Sequence, residues 1–474
     1  MMANAGHRLQ RWRLSPDHRF SLIVTSLSGA FGVALIQSTS HLAAIVAADE
    51  ISSRESAQLA LALVSGVFIV IAVYVSAIVT ANTFATIVAA RARSIALMRL
   101  IGSSASALRR SITREGLAVG LLGSLLGGAT GLALATLGLG WGIGAGLLPE
   151  LDYVPIDPLV SLPLVVVACS TWAASWVGSR KVLGVTPLQA VGSAVEATRE
   201  ETIRRPVRTV GAGLMFFGGL LVLAGGVVVG LQSPFGFVIA FFGGILSFSG
   251  VVNGAHVVMP PALRLVGRML GRSPSARLAS LNALRYPLRS TRATIGLVIG
   301  VTLVTTFAVA AQGYADMISA ARLREPESYQ HVDGILGLTL GVFSVLIGFS
   351  ALIAALGMVN NLSLGVLQRR RELGLLRALG FTARQVRRMI LVESAQLTVA
   401  AVALGVVLGV GYGWAGAQSL LGSVHGSPGL VWPSMPWPLL AALSIGAPAL
   451  ILVAAYLPAA RATTESPVLA LSSV

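Results

Sequence analysis

Side chains able to catalyse a reaction or bind a metal are few and scattered in this 474-residue chain. Its six histidines, at positions 7, 18, 41, 256, 331 and 425, have no second ligand at the spacing of a metal site. The single cysteine, Cys169, has no partner for an intrachain disulfide. The one lysine, Lys181, lies in SRKVLG, which is not the glycine-rich loop of a nucleotide site. We therefore expect no enzyme active site, no metal and no cofactor in this chain.

The polar chemistry is concentrated in two arginine-rich segments. RARSIALMRLIGSSASALRRSITRE at 91–115 aligns without a gap with RRRELGLLRALGFTARQVRRMILVE at 369–393, at an offset of 278 residues. Arginine, glycine and glutamate positions coincide in the two copies, including the pairs Arg99 and Arg377, Gly102 and Gly380, Arg109 and Arg387, and Glu115 and Glu393. A segment used twice indicates one function performed at two places.

The second segment has apolar residues at helical spacing and arginines on the other face. The apolar positions are Leu373, Leu376, Leu379 and Val386. One interpretation is a helix that lies on anionic lipid. Gly374 and Gly380 interrupt such a helix, and the segment occurs twice. The pattern therefore favours a short helix, a glycine corner and a longer helix, with Glu115 and Glu393 predicted to cap the next span of each copy.

The elements that position these segments must be membrane helices. With 55% hydrophobic residues, 11% charged residues and a mean hydropathy of +0.82, the chain has too little polar surface for a soluble globule. Apolar runs of about 20 residues can cross a bilayer. Ten are predicted, near 20–47, 58–88, 115–148, 158–178, 209–231, 233–259, 292–314, 334–361, 392–423 and 434–458. We interpret the first as a retained span, because it is too long for the apolar region of a signal peptide.

The basic residues predict the orientation. Segments on the N-terminal side of the ten spans hold 31 of the 34 Lys and Arg, whereas the opposite side holds Arg54, Arg322 and Arg324. Positive residues remain in the cytoplasm, so we expect a multi-pass protein of the cell (inner) membrane with both termini cytoplasmic. The net charge of +16 is then a consequence of topology and predicts no nucleic-acid partner.

The internal repeat predicts the domain organisation. SRKVLGVTPLQA at 179–190 resembles AARATTESPVLA at 459–470, so each copy ends in a cytoplasmic tail after four spans. The predicted organisation is all-α, arranged 4+2+4 with two parallel repeats, because an even number of spans returns each copy to the same side. The predicted regions are a cytoplasmic N-terminus (1–19), a first repeat (20–190), a linker with two unmatched helices at about 209–259 (191–277) and a second repeat (278–474).

GVLQRRRELGLLRALGFTARQVRRMILVES at 365–394 resembles the hallmark segment of the FtsX-like permease family of ABC transporters. LASLNALRYPLRSTRATIGLVIG at 278–300 and Arg461 with SPVLAL at 466–471 are also similar to that family. The resemblance implies the permease subunit of a mechanotransmission-type transporter without its own nucleotide site. ATP and Mg would then bind to a separate cytoplasmic ABC ATPase, in two copies per permease chain, and the permease would contact the lipid bilayer.

The same resemblance implies where that ATPase docks. In the family the segment after span two is a coupling helix, which here corresponds to Ser94, Ile95, Ala96, Leu97, Met98, Arg99, Leu100, Ile101 and Gly102 in the first copy. In the second copy it corresponds to Glu372, Leu373, Gly374, Leu375, Leu376, Arg377, Ala378, Leu379 and Gly380. The first copy has Ser94 and Ala96 where the motif has an acid and a glycine, so we expect asymmetric coupling.

Small residues predict how the spans pack. Gly123, Gly127 and Gly131, and likewise Gly405, Gly409 and Gly413, have the G-x-x-x-G spacing that lets helices approach closely. We predict packing faces at these positions, with a gating hinge as the alternative.

The predicted outer loops are short. Ten-span members similar to bacitracin-type peptide-resistance permeases carry a large extracellular domain between spans seven and eight, where this chain has only 315–333. We therefore expect efflux of a hydrophobic or amphipathic substrate (lipid, peptide or drug) taken from the bilayer. A signalling or cell-envelope regulator driven by an ATPase is the alternative. A secondary transporter is disfavoured because the span interiors have few ionisable groups.

Overall fold

Every regular element in the described part of the chain is helical in a computed structural model. The described residues are 16–48, 101–146, 148–183, 206–269, 274–285, 287–326, 370–424 and 427–451, with isolated positions within 66–98 and 337–355. The helices belong to two compact units, with the predicted first repeat in one and the unmatched pair together with the second repeat in the other.

The continuous elements described in the first unit are three long helices and a short 3₁₀ turn. They are α1 (Pro16–Ala48), α2 (Ala105–Gly144) and α3 (Ser161–Leu183), with the turn at Pro158–Val160 directly before α3. Each of the three helices packs on the other two.

The described part of the second unit contains seven continuous helices. They are α4 (Pro206–Gly230), α5 (Gly236–Met269), α6 (Pro274–Arg285), α7 (Pro287–Arg324), α8 (Arg370–Ala378), α9 (Ala383–Leu421) and α10 (Trp437–Ile451). The unmatched helices α4 and α5 form a close pair, and both pack on α9 of the second repeat.

Seven helices in the described part are long and apolar enough to cross a membrane. They correspond to predicted spans one, three, four, five, six, seven and nine. All but three residues of span two and about half of span eight lie outside the described residues, and the described part of span ten is the shorter apolar helix α10. The predicted count of ten and the 4+2+4 order therefore remain predictions.

Several helices are longer than the apolar runs that predicted them. α2 begins at Ala105 and α9 at Ala383, about ten residues before the predicted spans, because capped and arginine-rich turns precede the apolar part. α7 continues to Arg324, so about half of the expected outer gap at 315–333 is helical. Glu115 and Glu393 consequently lie in the third turn of their helices, and the prediction that they cap the helix starts is wrong.

In the first unit, the glycines of α2 face α1 at very short range. A Cβ at Gly127 would overlap the backbone carbonyl oxygen of Ser26, and one at Gly131 would overlap that of Ala30. A Cβ at Gly123 would lie 2.7 Å from Cβ of Thr25. Only glycine permits this separation between the two helices.

The second unit has the same arrangement between α9 and α7. A Cβ at Gly405 would lie 2.8 Å from Cβ of Val301, and one at Gly409 would lie 2.7 Å from the backbone carbonyl oxygen of Thr302. A Cβ at Gly413 would lie 2.5 Å from the carbonyl oxygen of Thr306. The glycine face of α2 thus packs on α1 in the first unit, and the glycine face of α9 packs on α7 in the second unit in the same way.

Buried glutamines attach loops to helix ends in both units. In the first, Nε2 of Gln37 donates to the carbonyl oxygen of Val154 at 2.9 Å, and Oε1 accepts from the Asp157 N–H at 3.1 Å. In the second, Nε2 of Gln418 donates to the Gly429 carbonyl at 2.8 Å, and Oε1 accepts from the Val431 N–H at 3.0 Å. Each glutamine fixes a connecting loop at the helix ends distant from the arginine-rich segments.

Candidate coupling site

The two arginine-rich segments form similar corners, which we call the first elbow (94–104) and the second elbow (372–382). In the second elbow the short helix α8 ends, Gly380 adopts a φ of +101°, and α9 starts at Ala383. In the first elbow Leu97 and Met98 are helical, Gly102 has a φ of +99°, and α2 starts at Ala105. The predicted order of short helix, glycine corner and longer helix is confirmed for the second elbow, with the corner at Gly380. The prediction that Gly374 interrupts the helix is wrong, because Gly374 lies within α8.

The second elbow ends its short helix in a Schellman motif. The Phe381 N–H donates to the carbonyl of Leu376 at 3.1 Å, and the Gly380 N–H donates to that of Arg377 at 3.1 Å. This arrangement requires a left-handed residue at the position of Gly380. In the first elbow the Ser103 N–H donates to the Met98 carbonyl at 2.9 Å, so both corners have the same backbone fold.

Hydroxyl caps start the long helix after each corner. Oγ1 of Thr382 accepts from the Gln385 N–H at 3.2 Å, and Oε1 of Gln385 accepts from the Thr382 N–H at 2.9 Å, which completes a capping box. Oγ of Ser104 accepts from the Ala107 N–H at 3.2 Å. These caps were not among the predicted site residues, although the pattern Thr-x-x-Gln before an apolar run indicates them.

The inner side of the second elbow is anchored in a small core. Leu373, which is 2% exposed, packs with Val386, Met389 and Ile390 of α9 and with Ala279 of α6. Leu376 and Phe381 pack against this cluster from its edge. The elbow is therefore fixed to two other helices.

The outer side of each elbow exposes two apolar side chains. Leu375 is 53% exposed and Leu379 is 71% exposed. Leu97 and Ile101 occupy the equivalent positions of the first elbow and are 51% and 85% exposed. Helical spacing groups Leu379 with Leu373, but Leu373 is buried and Leu379 is exposed. Six residues correspond to about 120° of rotation around an α-helix. The Leu379 N–H still donates to the Leu375 carbonyl at 2.9 Å, so the chain turns only after Leu379, at Gly380.

The structure describes the side chains of only some of the other predicted coupling residues. In the second elbow Gly374 is buried, Arg377 is half-buried, and Ala378 and Gly380 are exposed. Glu372 lies in α8, but its side chain is outside the described residues. In the first elbow Met98 and Gly102 are exposed, and Ser94, Ile95, Ala96, Arg99 and Leu100 are outside the described residues.

Arginines surround both corners. Arg384 and Arg388 are exposed at the start of α9, as are Arg110 and Arg114 at the start of α2. The guanidinium of Arg109 lies over the ring of Trp176, 4.6 Å from its centroid, which attaches α2 to α3. Each elbow thus presents exposed apolar side chains, and exposed arginines follow in the first turns of the next helix.

Comparison with known proteins identifies two matching regions, and each contains one of the elbows. The model of the FtsX-like permease C-terminal domain matches residues 66–187 and again 344–467, starting 278 residues apart. Together these matches cover more than half of the chain, and the chain belongs to the FtsX-like permease family. Helices α4 and α5 lie between the two matched regions.

A curated relative connects the family to transport. The chain is 32% identical over 125 residues to YknZ of Bacillus subtilis (strain 168), an uncharacterized ABC transporter permease. The match covers 26% of this chain and 29% of the relative. Together with the apolar helices, these similarities make the chain a multi-pass membrane protein of an ABC transporter permease family.

Proposed function

We propose that the chain is the permease subunit of a mechanotransmission-type ABC transporter that exports a hydrophobic or amphipathic substrate. One copy of a separate cytoplasmic ATPase docks on each elbow and binds ATP and Mg. The protein lies in the cell (inner) membrane with both termini and both elbows in the cytoplasm. The observation that carries this proposal is the exposed apolar pair at the same position of both elbows.

Exposure of these side chains is unfavourable unless a partner covers them. Leu375 and Leu379 are four residues apart and form one small apolar surface beside exposed arginines. On the cytoplasmic side that the arginines predict, such a surface is typical of a protein contact. Leu97 and Ile101 offer the same contact a second time, which agrees with two ATPase copies per permease.

The second elbow is attached so that a push on it moves other helices. Leu373 fixes α8 to α6 and α9, and α9 continues for 39 residues, about 58 Å at the rise of an α-helix. Its far end carries Gln418, which holds the loop at Gly429 and Val431. The predicted route through spans 58–88 and 334–361 lies largely outside the described residues, and α9 offers a second, continuous route.

Coupling is stronger at the second elbow in this proposal. Phe381 packs against the core of the second elbow, whereas the equivalent residue of the first is Ser103. Met98, the counterpart of the partly buried Leu376, is 44% exposed. The first elbow therefore has fewer apolar anchors than the second, and this difference supports the predicted asymmetry.

Reconstitution with a cognate ABC ATPase tests the proposal. Proteoliposomes holding both proteins are expected to transport substrate with ATP and to continue when an uncoupler removes the ion gradient. Loss of transport with the uncoupler would identify a secondary transporter. ATP hydrolysis stimulated by the chain without transport of any lipid, peptide or drug would instead favour the regulator.

A further inference from the structure

Arg109 of α2 carries a charge that no group in the described part of the chain neutralises. Its guanidinium lies over the Trp176 ring of α3, 4.6 Å from the ring centroid. Its Nε and Nη2 are buried and make no hydrogen bond. Among the described residues no carboxylate or carbonyl pairs with Nη1 either, and this nitrogen is the accessible one. A half-buried cation without a partner is unfavourable, so Nη1 is the place where a counter-ion would bind.

This guanidinium lies at the predicted cytoplasmic boundary of the membrane. Arg109 comes before the predicted span 115–148, and Trp176 is close to the end of the predicted span 158–178. Tryptophan and arginine are both common at this depth, because each has an apolar part and a polar group that reaches the headgroups. The available counter-ion at this level is a lipid phosphate.

An exposed stripe on α3 leads along the membrane to the same guanidinium. Its side chains recur at intervals of three and four residues and therefore share one helix face. They are Leu162, Val165, Cys169, Trp172 and Trp176, and all five are exposed. At the rise of an α-helix the stripe is about 21 Å long, whereas one hydrocarbon leaflet is about 15 Å thick. An acyl chain can therefore follow the stripe while its headgroup lies beside Arg109.

We propose that Arg109 binds the phosphate of an anionic phospholipid of the cytoplasmic leaflet, with the acyl chains along the stripe on α3. Trp176 holds the guanidinium, and Nη1 donates to a phosphate oxygen. Arg110 and Arg114 are exposed beside it, which favours an anionic headgroup over one with its own cation. The site is a lipid contact of the first unit and does not depend on the proposed export function.

Binding of phosphatidylglycerol to the full chain in detergent tests this site, with each bound lipid resolved by native mass spectrometry and no ATPase present. We expect the first lipid to bind about fivefold more tightly to the wild type than to Arg109→Gln, the usual contribution of one arginine at an anionic lipid surface. Trp176→Leu should also weaken binding, because the guanidinium loses the ring that holds it. Phosphatidylcholine should bind the wild type more weakly than phosphatidylglycerol does.

Arg268→Gln is the matched control. It removes an exposed arginine near the end of α5, on the same predicted side of the membrane, and should bind phosphatidylglycerol as the wild type does. Arg109 makes no hydrogen bond within the described residues, so Arg109→Gln should keep the unfolding temperature that the wild type has without added lipid.

Equal affinity of the wild type and Arg109→Gln for phosphatidylglycerol would overturn the site. An equal loss in Arg268→Gln would do so as well, because it would show general attraction by charge. Full competition by glycerol 1-phosphate would assign Nη1 to a soluble phosphate and overturn the lipid assignment. Lipid binding that required added ATPase would place Arg109 in the docking surface instead. Because the titration contains no ATPase, its failure leaves the docking proposal untouched.

Discussion

The backbone N–H of Phe381 donates to the carbonyl oxygen of Leu376 at 3.1 Å across the corner formed by Gly380. Ser103 and Met98 make the same bond at 2.9 Å in the first copy. Just before the corner, a buried side chain, Leu373, and an exposed one, Leu379, lie six residues apart on different sides of the elbow. The short segment before the corner therefore both anchors the elbow and presents its contact surface.

Alanine at Gly380 should disturb this turn without any steric clash. Nothing lies within 4 Å of a Cβ built there, so the effect comes from the φ of +101°. The left-handed conformation costs a non-glycine residue about 1–2 kcal/mol. We expect Gly380→Ala to lower ATPase stimulation in nanodiscs, whereas Gly146→Ala, at a φ of +67° in a loop, should leave it unchanged. An equal loss of ATPase stimulation in Gly380→Ala and Gly146→Ala would contradict a specific role of the corner.

Removal of the Thr382 hydroxyl should loosen the start of α9. Thr382→Ala loses the bond to the Gln385 N–H, which is worth about 1 kcal/mol. Faster amide hydrogen exchange is expected in the first turn of α9, and Thr382→Ser should restore the wild-type rate. Unchanged exchange in Thr382→Ala would show that the cap does not hold this turn.

Replacing glycine by alanine should destabilise the protein at a packing-face glycine but not at a glycine elsewhere on the same helix. Gly127→Ala places a Cβ against the Ser26 backbone and should lower the thermal unfolding temperature of the chain in lipid. Gly138→Ala has no atom within 4 Å of the new Cβ and should be neutral or stabilising, by up to about 1 kcal/mol, because alanine favours helix. Gly409→Ala and Gly411→Ala form the same pair in α9. Equal unfolding temperatures within each pair would rule out the packing role.

The buried amide of Gln37 should hold its loop by hydrogen bonds. Gln37→Leu has a similar volume but leaves the carbonyl of Val154 and the N–H of Asp157 without this partner. A loss of about 1–3 kcal/mol is expected, seen as faster hydrogen exchange at Asp157. The control Gln232→Leu changes an exposed glutamine of another loop and should have no effect.

Periodicity and the internal repeat predicted the elbows because Gly380 and its arginines recur at Gly102. The same signals grouped Leu379 with Leu373, although six residues correspond to about 120° of rotation around an α-helix, so the two side chains lie on different faces. Glu115 was similarly predicted at a helix start because hydropathy does not register the arginine-rich turns that precede it. Helix ends depend on caps such as Thr382 and Ser104, which hydropathy does not detect.

Residues that join distant parts of the chain were not predictable from spacing. Ser434 reaches Asp316 across 118 residues, and Gln37 reaches Asp157 across 120. Short polar side chains of this kind are common in loops, and only the folded helices bring them to their partners. The glycine faces were predictable in contrast, because their period of four is a property of one helix.

Copurification of the cognate ATPase with this chain tests the central claim most directly. Leu375→Glu with Leu379→Glu removes the exposed apolar pair of one elbow, and Leu97→Glu with Ile101→Glu removes that of the other. We expect two ATPase copies on the wild type, one on each double variant and none when both elbows are changed, with unfolding temperatures unchanged because all four side chains are exposed. Full ATPase occupancy of the quadruple variant would contradict docking at the elbows.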